Sequence, residues 1–144
     1  MANKKEYKTY KRGQILYVDL GHKPEGVQGG LRPCVVVSND ASNHKYAPQI
    51  TVCALTTKLK NNPVHVIVKP DDIKGYSLLK ESDFLPEDIT TVSKNKVCAT
   101  MGYIPRNAEI MNQINYVLAK QLGLLSVVGT KVKEENDGRW KNFI

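Results

Sequence analysis

The chain has 144 residues, with 21 lysines and arginines against 14 aspartates and glutamates, and a formal net charge of +7. This length is typical of a single domain with its own core, and the 41% hydrophobic fraction argues against a disordered chain. No apolar run approaches the ~20 residues that a membrane-spanning helix needs, and the polar start has no secretory signal pattern. We therefore expect a cytoplasmic protein whose basic charge favours an anionic partner, with nucleic acid as the leading candidate.

The positive charge is unevenly distributed along the chain. Residues 1–12 hold five basic residues and one acidic residue, whereas residues 13–130 hold twelve basic and ten acidic residues. We therefore predict a basic N-terminal arm at 1–12, a folded domain at 13–125 and a tail at 126–144. Bulk charge is consequently a weak argument for nucleic-acid binding by the domain itself.

Short runs rich in β-branched residues follow the arm. They predict strands at residues 14–20, 33–39, 50–56, 63–69, 89–93 and 96–104. No helical pattern alternates with these runs, which favours a compact antiparallel barrel or sandwich over βαβ units. Within 63–69, His65 and Ile67 share the face opposite the valines, which predicts an exposed histidine.

One amphipathic helix is predicted after the strands. Its apolar stripe has the 3.6-residue spacing of a helix and should pack on the sheet. Asn107 is the predicted N-cap, and Gly123 the predicted C-terminal cap. The stripe consists of Ile110, Ile114, Val117, Leu118 and Leu122. In the tail, Trp140 and Phe143 are the residues best suited to packing on the domain.

The three cysteines do not indicate a metal site or a disulfide framework. Cys34, Cys53 and Cys98 cannot all pair within the chain, and they lack CxxC spacing. All three lie in apolar strand contexts, so we predict that they are small core residues. No metal or cofactor is predicted from the sequence.

The most informative segment is a glycine-rich loop at 21–30 that leads into a strand. Ten residues is long for a connection, and long loops are often functional. Gly29 and Gly30 permit a positive φ or a close backbone approach to a ligand. Arg32 follows at the mouth of the strand, and Pro33 restricts the backbone directly after it.

Arg32 and Thr56 are predicted to lie at one end of an antiparallel pair. If strands 33–39 and 50–56 pair, both residues come within reach of one phosphate. A guanidinium offers two parallel donors to phosphate oxygens, and a threonine hydroxyl can donate to a third. From spacing alone, a surface arginine and a strand-forming threonine remain the simpler interpretation.

Five segments carry a family resemblance: RGQILYVDL (12–20), QGGLRPCVVVSND (28–40), ALTT (54–57), PVHV (63–66) and QLGL (121–124). Together they resemble the MazF/PemK family of toxin ribonucleases from bacterial toxin–antitoxin pairs. The resemblance implies a mainly β fold with a C-terminal helix, an SH3-like small barrel of the CcdB/PemK type. It also implies a homodimer, a cognate antitoxin partner, and metal-independent, sequence-specific cleavage of single-stranded RNA.

The resemblance also assigns roles to residues. The family's catalytic arginine and threonine fall on Arg32 and Thr56, and Glu87 matches an acidic position of the family. Relatives often have an Arg-Thr pair in the region that reads EDITTVSK (87–94) here, and this chain has no arginine there. We therefore expect a different RNA preference. The expected RNA-binding residues are Gln28, Gly29, Gly30, Thr57, Lys58, Lys60 and His65.

The implied chemistry is attack of the RNA 2′-hydroxyl on the adjacent phosphorus, which gives a 2′,3′-cyclic phosphate and a 5′-hydroxyl. It requires stabilisation of the phosphate oxygens and transfer of two protons. Arg32 suits the first task, but a guanidinium gives up its proton only above pH ~12. Whether Arg32 also donates a proton stays open, as does the identity of the general base.

Three alternatives remain at this point. The first is a non-catalytic toxin of the same fold that binds and poisons DNA gyrase, which would have no need of the Arg32–Thr56 pair. The second is a two-histidine ribonuclease mechanism using His22 and His44, which lie in separate predicted loops. The third is an RNA-binding module that does not cleave.

Overall fold

The computed structural model describes residues 4–75 and 80–125. Within these ranges, six strands form one antiparallel sheet and an α-helix follows the last strand. Among the described residues, no helix is long and apolar enough to span a membrane. The elements are β1 (Gln14–Asp19), β2 (Leu31–Val36), β3 (Gln49–Thr56), β4 (Val66–Val68), β5 (Ser82–Ser93), β6 (Val97–Tyr103) and α1 (Glu109–Gln121), with 3-10 turns at Asp40–Ser42, Pro70–Asp72 and Lys94–Lys96.

The sheet has the strand order β4-β5-β3-β2-β1-β6. Beyond the end of β4, Lys74 exchanges two backbone hydrogen bonds with Tyr103 of β6, at 2.8 and 3.0 Å. This bridge joins the segment that follows the outer strand β4 to the other outer strand, β6, so the sheet curls toward a small barrel. The predicted mainly β fold with a C-terminal helix is therefore confirmed.

Apolar side chains are buried on both faces of the sheet, because successive strand residues point in opposite directions. On one face, Ile15, Val35, Leu55 and Phe84 of the sheet pack in a cluster with Ile114 of α1. On the other face, Leu16, Cys34, Val52 and Leu85 cluster with Tyr10, which precedes β1. Both clusters meet at β2 and β3, which are the central strands that carry the candidate site.

The helix follows its predicted stripe over most of its length. Ile110, Ile114, Val117 and Leu118 are buried, as predicted. The prediction for Leu122 is wrong, since this residue is 53% exposed because the helix ends one residue earlier. The N-cap is Ala108, which makes no side-chain cap, so the prediction for Asn107 is also wrong. Gly123 has a φ of 74°, as expected after a helix end.

The N-terminal segment packs on the domain. Tyr10 is only 5% exposed and belongs to the core. The buried Lys94 ammonium donates to the carbonyl oxygen of His44 at 2.9 Å and lies 5.8 Å from the centre of the Tyr10 ring. Burial lowers the pKa of Lys94. The predicted boundary after residue 12 thus falls inside packed structure, while the predicted tail at 126–144, with Trp140 and Phe143, lies outside the described residues.

The cysteines differ from one another. Cys34 and Cys53 are buried, as predicted, but Cys98 is exposed. The prediction for Cys98 is wrong because β6 lies at the end of the strand order and presents most of its residues to solvent. Burial raises the pKa of Cys34 to about 12, which keeps this thiol protonated and unreactive.

Candidate active site

Arg32 and Thr56 lie at the same end of the β2–β3 ladder. The last registered pair is Cys34–Ala54, and continuing the register by two residues places Arg32 opposite Thr56. Pro33 lies between Arg32 and Cys34 in the chain. It has no N–H to donate, so the hydrogen-bonded ladder between the two strands ends at Cys34. The predicted placement of the two residues at one end of this strand pair is therefore confirmed.

The Arg32 side chain is held by the loop that precedes its strand. Its Nε–H donates to the carbonyl oxygen of Gly29 at 2.9 Å. Within the described part of the chain, its two terminal nitrogens have no hydrogen-bond acceptor. These nitrogens form the fork that suits a phosphate, so the guanidinium is oriented while its strongest binding edge stays open.

Backbone hydrogen bonds join the two ends of the glycine-rich loop. Leu20 donates its N–H to the carbonyl oxygen of Gly30 at 2.9 Å, and Gly30 donates to that of Gly21 at 2.8 Å. Gly30 has a φ of 74°, and a Cβ on Gly29 would lie 2.8 Å from the Gly21 oxygen. Both glycines are thus required by the backbone, as the sequence predicted.

The hydroxyl of Thr56 is buried at the end of β3. It accepts a hydrogen bond from the N–H of Lys58 at 3.2 Å, which leaves its own proton available for a ligand. The loop that follows is exposed at Thr57, Lys58 and Lys60. Three of the predicted RNA-binding residues therefore surround the predicted catalytic threonine.

A bulge in β5 carries two acidic residues, Glu87 and Asp88. Leu55 pairs with Phe84 and Cys53 pairs with Ile89, so four residues of β5, 85–88, stand opposite one residue of β3. Bulges of this kind redirect side chains and are common beside active sites. The strand predicted at 89–93 is only the second half of β5, and the bulge accounts for the break in the pattern.

The imidazole of His65 lies between two carboxylates of β5. Its Nδ1 is 3.3 Å from Oδ2 of Asp83, and its Nε2 is 2.7 Å from Oε2 of Glu87. The His65 side chain is 2% exposed, whereas that of Glu87 is 40% exposed. The prediction of an exposed histidine is wrong, because β5 extends past β4 and covers the ring.

Asp83 is the residue that sequence reasoning missed. It lies directly opposite Thr56 in the β3–β5 ladder, so their Cβ atoms are about 5 Å apart. Its Oδ2 also accepts the backbone N–H of Lys60 at 2.9 Å. The only signal was an acidic residue next to the apolar pair Phe84–Leu85, and nothing in the spacing connects it with His65.

Asp88 joins the glycine-rich loop to the bulge. Its Oδ2 accepts the backbone N–H of Gln28 at 3.4 Å. Burial raises the pKa of Asp88. The hydrogen bond from Gln28 lowers this pKa, and the negative charge of the nearby Glu87 raises it further. The loop, Arg32 and the acidic bulge therefore belong to one region of the surface.

His22 and His44 lie outside the cluster formed by His65, Asp83 and Glu87. His44 accepts the N–H of Tyr46 on its Nδ1 at 3.1 Å, and His22 is exposed within the glycine-rich loop. In the part of the chain that is described, no contact joins the two, so the two-histidine mechanism gains no support. Among the same residues, no group of three His, Cys, Asp or Glu side chains has an arrangement that could hold a metal ion.

Comparison with known proteins gives a consistent answer over most of the chain. The model of the PemK-like, MazF-like toxin of type II toxin-antitoxin systems matches residues 11–122. Endoribonuclease MazF of Staphylococcus saprophyticus is 32% identical over 117 residues, which cover 81% of this chain and 94% of that protein.

Solved structures agree with this match. An endoribonuclease from Mycobacterial species, in complex with its cognate antitoxin, has a TM-score of 0.62 at 28% identity, with 81% of this chain and 96% of that chain covered. MazF from Deinococcus radiodurans has a TM-score of 0.66 at 19% identity, with 81% of this chain and 99% of that chain covered. The second comparison supports the fold alone.

Proposed function

Because the chain belongs to the PemK-like, MazF-like toxin family, we propose that it is a sequence-specific, metal-independent endoribonuclease that cleaves single-stranded RNA. The observation that carries the proposal is the convergence of three groups at one end of the sheet. They are the open guanidinium edge of Arg32, the hydroxyl of Thr56 and the partly exposed carboxylate of Glu87.

Each group has a defined task in the proposed reaction. The terminal nitrogens of Arg32 bind the non-bridging phosphate oxygens, and Thr56 donates one further hydrogen bond. Glu87 accepts the proton of the 2′-hydroxyl as the 2′-oxygen bonds to phosphorus. The bond from phosphorus to the 5′-oxygen then breaks, and this oxygen takes a proton from water, since the guanidinium keeps its own near neutral pH. The products are a 2′,3′-cyclic phosphate and a 5′-hydroxyl.

The proposed RNA path follows the two segments that flank these groups. Gln28, Gly29 and Gly30 line one side with backbone that lies close to Arg32. The other side is the exposed loop of Thr57, Lys58 and Lys60, whose ammonium groups suit the RNA backbone.

In contrast to the expectation from the sequence, this proposal gives His65 no contact with RNA. Its side chain is almost fully buried, so no ring face is available for stacking on a base.

We further propose a homodimer with a cognate antitoxin as its protein partner. The antitoxin part of this proposal is supported by the endoribonuclease from Mycobacterial species, which was solved in complex with its cognate antitoxin. An acidic segment that folds on binding would complement the cationic loop at Lys58 and Lys60.

The test is incubation of the purified protein with a long single-stranded RNA in EDTA, followed by mapping of the RNA ends. We expect cleavage at a short recurring sequence with 5′-hydroxyl ends, and loss of cleavage in Arg32→Ala and Thr56→Ala. Thr100→Ala, an exposed threonine on β6, is the matched control and should cleave normally. Intact RNA together with inhibition of DNA gyrase would overturn the proposal.

A further inference from the structure

We propose that His65 and Asp83 are positioning residues that hold the Glu87 carboxylate in place for the proton transfer. This inference rests on the proposed function and deepens it. The chain of contacts runs from the buried Asp83 through the buried imidazole to the exposed Glu87. Asp83 and His65 do not themselves meet the RNA, because their side chains are 3% and 2% exposed.

Glu87 needs support because of where it lies. It is part of the four-residue bulge of β5, in which the regular pairing with β3 is interrupted. A glutamate side chain at such a site has several rotamers, and ordering it costs conformational entropy. The 2.7 Å contact between its Oε2 and Nε2 of His65 fixes one of these rotamers. Its other oxygen, Oε1, then remains for the 2′-hydroxyl.

The protons of this cluster can be counted. Both contacts join a ring nitrogen to a carboxylate oxygen, and each hydrogen bond needs one proton. With both carboxylates ionised, both contacts are hydrogen bonds only when Nδ1 and Nε2 each carry a proton. The hydrogen bond to Glu87 itself needs a proton on Nε2 alone.

The experiment measures RNA cleavage by the full chain carrying His65→Ala, His65→Gln or Asp83→Asn. We expect His65→Ala to lower kcat about tenfold to a hundredfold, a part of what a positioned base contributes, with KM unchanged within about twofold. A glutamine amide can still donate to Glu87. His65→Gln should therefore recover most of kcat.

A matched control is His44→Gln, which removes a histidine outside the cluster and should not change kcat. Thermal unfolding of each variant identifies any loss that comes from misfolding. A second readout needs no activity: in ring ¹⁵N spectra, the Nε2 signal of His65 should change in Glu87→Gln.

The outcomes separate the two proposals. A wild type that cleaves RNA, with folded His65 variants of unchanged kcat, would overturn the positioning role and leave the proposed function standing. An Nε2 signal that is the same in the wild type and in Glu87→Gln would also overturn it. A folded wild type that does not cleave RNA would overturn the proposed function, and the positioning role with it.

Discussion

Arg32 donates its Nε–H to the carbonyl oxygen of Gly29, three residues earlier in the chain, at 2.9 Å. This bond ties the guanidinium to the glycine-rich loop rather than to the sheet. A displacement of the loop would therefore also change the direction of the guanidinium, which is the proposed phosphate-binding group. The first two predictions depend on this link.

Replacement of Arg32 by lysine should lower kcat/KM about a hundredfold. Lysine keeps the positive charge but lacks the planar fork and the Nε–H that binds Gly29. The measurement is cleavage of a short RNA containing the preferred sequence. The control is Arg106→Lys, which changes an exposed arginine paired with Asp40 and should alter the rate less than twofold. Equal effects of the two substitutions would contradict the assigned role.

Replacement of Gly29 by alanine should lower kcat/KM at least tenfold. The new Cβ would lie 2.8 Å from the Gly21 oxygen and 3.3 Å from Lys23, so the loop must shift and move the Arg32 anchor with it. Small displacements of a positioned group cost large factors in rate. Gly26→Ala is the comparison, because its Cβ would meet nothing within 4 Å. It should destabilise the loop by about 1–2 kcal/mol through its positive φ and leave most activity.

Asp88→Asn should become more stable relative to the wild type as pH rises. Burial raises the pKa of Asp88 above its ordinary value of 3.8, so the folded state binds the proton more tightly than the unfolded state. The free energy of unfolding of the wild type therefore falls as pH rises from about this value through the folded pKa. An asparagine does not titrate and lacks this penalty. Urea unfolding at pH 3 to 7.5 measures the difference, and a constant or shrinking difference would contradict the prediction.

Tyr10→Ala should lower the free energy of unfolding by about 3 kcal/mol, the usual cost of truncating a buried aromatic residue. The tyrosine packs in the core and lies beside the buried ammonium of Lys94. Chemical denaturation gives the value, and Tyr46→Ala, an exposed tyrosine, should cost less than 1 kcal/mol. If Tyr10→Ala is equally mild, the N-terminal segment is an appended arm after all.

The local pattern of residue types is sufficient to predict much of the fold. Short runs of β-branched and apolar residues between turn residues predict β1, β2, β3 and β6 within a few residues, because strand-forming residues cluster there. The helical stripe from Ile110 to Leu118 follows from its 3.6-residue spacing. The common location of Arg32 and Thr56 also followed, since an antiparallel pair joined by one loop brings the start of one strand to the end of the next.

What the sequence alone determined, then, was the set of elements and the family resemblance. The tertiary structure decided the surroundings of His65, the contact between Asp83 and the His65 ring, and the packing of Tyr10. These depend on where the β3–β5 register slips and on contacts between residues distant in sequence, such as Tyr10 and Lys94. No periodicity records such a slip, because a bulge is selected by the packing of the whole sheet rather than by the residues that form it.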